Sequence, residues 1–80
     1  MDEQLEVFLK SFGKKIKEIR IAKDYTLDDV EFHTGIDSSD LNKIELGKTN
    51  ITFRTFIKVS KGLNLHPKDL LDFEFNLDKE

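Results

Sequence analysis

Apolar side chains recur along the first quarter of the chain at three- and four-residue steps: Leu5, Phe8, Leu9, Phe12, Ile16 and Ile19. That spacing lays one stripe along a helix and predicts a first helix from about Glu3 to Lys23, with Gly13 inside it as a place for a kink or a fresh start. Thr26 followed three residues later by Asp29 reads as a capping box, which opens a second helix that Gly35 stops. Asp37 and Asp40 repeat an acid at the positive end of a helix, and this third helix runs to about Leu46, where Gly47 can take a left-handed cap. Thr52 caps a fourth helix whose Phe53, Phe56, Val59, Ser60 and Leu63 share a face, ending between residues 62 and 64. Pro67, pre-set for a first helical position, opens a short fifth helix through Leu70 and Leu71. Phe73, Phe75 and Leu77 then alternate with polar residues at a period of two, which predicts an extended tail.

The pattern is that of a single all-α domain over residues 1–80, and the length agrees: 80 residues are too few for a second core. There is no cysteine and the two histidines, His33 and His66, are far apart, so neither a disulfide framework nor a metal site is expected. Apolar runs of two or three residues fall far short of the roughly 20 that span a bilayer, and the acidic start does not resemble a signal peptide, so a cytoplasmic location is expected and no membrane partner. No nucleophile sits beside a base and no glycine-rich phosphate loop is present, which excludes the common catalytic patterns and leaves no reason to expect a cofactor.

Charge is distributed unevenly. The formal net charge is −3, yet Lys10 to Lys23 carries six bases against Glu18, and Lys43 to Lys68 six more against Glu45. Between these segments lie Asp24, Asp28, Asp29, Glu31, Asp37 and Asp40 with no base. Two basic segments suit a polyanion, because lysine and arginine release counterions from phosphate; the acidic middle does not.

Two short helices joined at Gly35, with Val30, Thr34, Ile36, Leu41 and Ile44 where they meet, form a helix-turn-helix unit. Here the chain resembles the Cro and phage-repressor type helix-turn-helix proteins, the xenobiotic-response-element family. The resemblance spans about residues 12–71, with 1–11 extending the first helix and 72–80 forming a tail. It rests on FGKKIKEIR, TLDDVEFHTGI, LNKIELGKTN and FIKVSKGLNLHPKDLL, which occur in that order. It implies a five-helix lambda-repressor-like DNA-binding domain whose third helix lies in the major groove of double-stranded DNA, acting as a transcriptional repressor and homodimer on a two-fold site.

By position, the resemblance implies that Ser38, Ser39, Asn42 and Lys43 face base edges. It places Thr26, Lys48, Thr49, Asn50 and Arg54 near phosphates, and it makes Arg20 and Glu45 an ion pair tying the first helix to the third. Three positions depart from the family: Leu27 replaces a glutamine, Glu31 a small residue, and Asp40 puts an acid near the DNA side. These departures motivate an alternative, a helix-turn-helix module that binds a basic protein through its acidic middle. Leu70, Leu71, Phe73, Phe75 and Leu77 exceed what five short helices need to close a core, so they are assigned to a dimer interface. In the other arrangement the tail folds back over Leu5 and Phe8 of its own chain.

Overall fold

The structure, a computed structural model, describes residues 2–77; of the tail assigned from residue 72 onward, residues 78–80 lie outside the described part. Helix α1 spans Glu3–Ala22, α2 Leu27–Thr34, α3 Ser38–Glu45 and α4 Phe53–Gly62, followed by a 3-10 helix at Pro67–Leu71. The fifth helix is therefore 3-10 rather than α. Five residues form few α-type hydrogen bonds, and a tighter turn closes the segment: Asp69 N–H donates to the His66 carbonyl at 2.9 Å, and His66 Nδ1 accepts from Lys68 N–H at 3.1 Å.

Helix α1 is continuous through Gly13, so no fresh start occurs there. The glycine serves a close approach instead. A Cβ there would fall 2.5 Å from the Glu45 carbonyl oxygen and closer still to that of Ile44, so only a residue without a side chain lets the end of α3 rest on α1. The caps are those the local sequence encodes. Asp2 accepts from Leu5 N–H at 2.9 Å, Asp37 from Ser39 N–H at 2.9 Å and Thr52 from Thr55 N–H at 3.1 Å. At α2 the box is reciprocal: Thr26 Oγ1 accepts from Asp29 N–H at 3.1 Å, and Asp29 Oδ2 accepts from Thr26 N–H at 2.8 Å.

Leu9, Phe12, Ile16, Val30, Leu41, Ile44, Val59, Leu63 and Leu70 are buried and draw every helix onto one core. Phe53 is a correction to the fourth-helix pattern. It precedes Phe56 and Val59 on the predicted face but is 85% exposed, because it stands at the first position of the helix, three residues before Phe56 meets Phe12 of α1 at 5.8 Å. The tail through Leu77 has no regular secondary structure, turns at Phe73, whose N–H donates to the Leu71 carbonyl at 2.9 Å, and folds back on α1. Phe8 meets Phe73 at 5.3 Å and Phe75 edge-on at 5.0 Å between ring centroids.

Candidate nucleic-acid interface

Helix α3 buries Leu41, Ile44 and Glu45, and its 3.6-residue period turns Ser39, Asn42 and Lys43 outward, where all three are exposed. Ser38 lies half-buried at the margin of that face. Ser39 is partly committed within the helix start: its hydroxyl donates to Asp37 Oδ1 at 2.9 Å, which leaves the oxygen free to accept. The two bonds from Ser39, the backbone N–H first and the hydroxyl second, hold the Asp37 carboxyl below the usual aspartate value.

What holds α3 in place is a buried fork. Arg20 Nε donates to Glu45 Oε2 at 2.7 Å and a terminal nitrogen donates to Oε1 at 3.1 Å, while the other terminal nitrogen donates to the Tyr25 carbonyl at 2.8 Å. The side chains are 13% and 5% exposed. One guanidinium thus joins α1, the turn before α2 and the last turn of α3 in a fixed plane that a lysine could not reproduce.

The turn between α2 and α3 has its own bracing. Gly35 sits at φ 75°, and Thr34 Oγ1 donates to the Val30 carbonyl at 2.7 Å while accepting from Ile36 N–H at 3.0 Å. Glu31, which the sequence presents only as a departure from the family, reaches across this turn, and its Oε1 accepts from Ser38 N–H at 3.3 Å. An acid seven residues ahead of the first helical position was the signal for it, but nothing in the sequence says that α2 passes close enough.

After α3 the chain turns through Gly47 at φ 73°, with Lys48 N–H donating to the Lys43 carbonyl at 2.9 Å. This fixes the position of the next three residues. Lys48 and Asn50 are exposed, Thr49 is half-buried, and Arg54 is exposed in the first turn of α4. Thr26 is exposed at the start of α2. Asp40 lines a cleft of ≈260 Å³ together with Ile36, Thr49, Asn50 and Thr55, so the structure sets it toward the loop side of α3.

The residues assigned to a dimer interface are not one surface. Leu70 is fully buried and belongs to the core. Phe73 and Phe75 are half-buried against Phe8, the fold-back arrangement, while Leu71 and Leu77 stay 45% and 64% exposed. The reason is reach: the segment leaving the 3-10 helix turns back onto α1 at Phe8. Exposed apolar residues also lie outside the tail, among them Phe32 on α2 and Phe53 and Ile57 on α4.

A family model described as a helix-turn-helix domain matches residues 13–74. The chain is similar to the control protein C.BamHI of Bacillus amyloliquefaciens, with 35% identity over 63 residues that cover 78% of each chain. Among solved structures it is similar to the restriction-modification controller protein C.AhdI from Aeromonas hydrophila, with a TM-score of 0.76 and 29% identity over 78% of this chain and 94% of that one. The lambda-repressor-like arrangement of four helices and a 3-10 turn is common to both. An HTH_3 family transcriptional regulator from Vibrio cholerae shares the fold with a TM-score of 0.79 at 24% identity, over 82% of this chain and 37% of that one.

Proposed function

This chain belongs to the helix-turn-helix domain family, and from that premise we propose that it is a regulator of transcription of the restriction–modification controller kind, reading double-stranded DNA as a homodimer. The observation that carries the reading is the outward face of α3: Ser39, Asn42 and Lys43 stand exposed on a helix whose other side is anchored by the Arg20–Glu45 fork. Hydrogen-bonding side chains on a rigid, groove-sized helix are what base readout needs. Lys48, Thr49, Asn50 and Arg54, which follow α3 directly, and Thr26 with the free amides at the start of α2 are the phosphate contacts of this reading.

The acidic middle is less of an obstacle than its formal charge suggests. Asp29 and Asp37 are engaged as caps at positive helix ends, and Glu31 accepts from the start of α3. The acids outside such bonds, Asp24, Asp28 and Asp40, are fewer than the bases flanking them.

Selection of bound sequences from a random duplex pool tests the reading. A two-fold symmetric consensus is the expected result, with half-sites about 34 Å apart. Binding should weaken steeply with salt, and Lys48→Ala should flatten the slope of log K against log salt by about 0.9. A protein that selects no sequence and shows no salt-dependent shift on DNA is instead the module for a basic protein.

A further inference from the structure

Asp40 stands at the third position of α3, the place that Asp29 holds in α2. In α2 the acid closes a capping box by accepting from the Thr26 N–H at 2.8 Å. Asp40 does not. Asp29, Glu31, Asp37 and Glu45 each accept a hydrogen bond, but among the described residues Asp40 makes no side-chain hydrogen bond or ion pair. It is exposed and lines the cleft between α3 and the loop that carries Thr49 and Asn50. We propose that Asp40 determines specificity: its carboxylate accepts from the exocyclic amino group of a cytosine in each half-site, with Lys43 donating to the guanine paired with that base. The inference rests on the DNA reading above and deepens it by naming a base.

Placement comes from the helical period. At 3.6 residues per turn the exposed positions Asn42, Ser39, Lys43 and Asp40 follow one another around α3, opposite the buried Leu41, Ile44 and Glu45. Asp40 therefore ends the outward face on the side of Thr49 and Asn50, with which it shares the cleft. Asp40 and Lys43 are three residues apart, so their Cβ atoms are neighbours at about 5–6 Å. They do not pair; the ion pair among the described residues is Arg20–Glu45. An acceptor and a donor thus stand side by side on the helix, each without a partner in the chain.

The chemistry of the major groove selects the base. An ionised carboxylate only accepts, so phosphate oxygens, guanine N7 and O6 and thymine O4 all repel it. Adenine offers an amino group with the N7 acceptor beside it, whereas cytosine offers its N4 amino group alone. A C·G pair also presents the guanine acceptors to which a lysine donates. Asp40 and Lys43 together match that pair. An acid in the first turn also suits the positive end of a helix, but that role carries no base preference, and the two part when the charge is removed.

Selection from a random duplex pool with the unaltered chain, Asp40→Ala, Asp40→Asn and Lys43→Ala decides the matter. The expected consensus of the unaltered chain holds one C·G pair per half-site that Asp40→Ala and Lys43→Ala no longer require. Asp40→Asn should turn the same position toward adenine, because an amide can donate to N7 while accepting from N6. Replacing that C·G pair by T·A should weaken the unaltered chain at least about 5-fold and Asp40→Ala by less than about 2-fold. Asp40→Asn, of the same shape, carries the test should Asp40→Ala lose helicity by circular dichroism. A consensus that neither Asp40 variant changes overturns the proposal and leaves the DNA reading intact. Tighter binding of Asp40→Ala to all sequences alike does so too, making the acid only a repulsion, and a lowered melting temperature with the same consensus leaves it only a helix-end charge. An unaltered chain that selects no sequence overturns the DNA reading itself, and the proposal with it.

Discussion

Arg20 spans α1, the following turn and α3 with three hydrogen bonds of 2.7–3.1 Å, so its removal strands the buried Glu45 carboxylate without the cation that pairs with it. Breaking a buried pair from one side costs about 3 kcal/mol or more, because an uncompensated charge remains. Arg20→Ala and Glu45→Ala should therefore each lower unfolding free energy by about 3 kcal/mol, and the double variant should lose much less than the sum. Chemical denaturation of the three variants checks this; small, additive losses show that the two side chains act separately. Asn42 is the contrasting case. It is exposed on the outward face of α3, so Asn42→Ala should leave the melting temperature within a degree or two while, on the proposed function, relaxing base preference at one or two positions, about 1–3 kcal/mol of discrimination. An unchanged consensus and stringency removes it from the reading set. Among single residues, the ion-pair partners were identified in the sequence by resemblance. Glu31 was not, because its role depends on a distance across a turn.

At the scale of elements, helix starts are local chemistry, and Thr26, Asp29, Asp37 and Thr52 could be assigned as caps from spacing alone. Two of them also titrate. The Thr26 backbone N–H, then its hydroxyl, hold Asp29 below its ordinary value, and the Ser39 N–H, then its hydroxyl, do so for Asp37. A carboxyl whose folded-state pKa is depressed stabilises fully above its unfolded value, and that stability is lost as pH falls through the folded value. Melting temperature should thus be level from about pH 7 to pH 5 and decline below about pH 4. Asp37→Asn keeps a capping oxygen but does not titrate, so the variant should show a shallower acid decline; an identical profile would assign the decline to other carboxylates. Helix ends and the 3-10 geometry of Pro67–Leu71 were less legible, since they depend on how Leu70 is drawn into the core.

The whole molecule determines which apolar residues remain outside. Ending the chain after Asp72 removes the rings of Phe73 and Phe75 from Phe8, and two half-buried aromatics contribute about 2 kcal/mol together. The shortened chain should unfold at lower denaturant by that amount and still associate like the full chain, as read by sedimentation. Dissociation on truncation would return the interface to the tail. The sequence by itself determined the helices, their caps, the turn at Gly35 and the family, because each depends on residues within a few positions of one another or on ordered motifs. Which face of α4 is covered, that the tail lies on Phe8, that Gly13 makes room for α3 and that Phe53 stays exposed were decided only by tertiary structure. Burial is a property of what arrives from elsewhere in the chain, and a periodic apolar pattern cannot tell a covered residue from one that still awaits a partner.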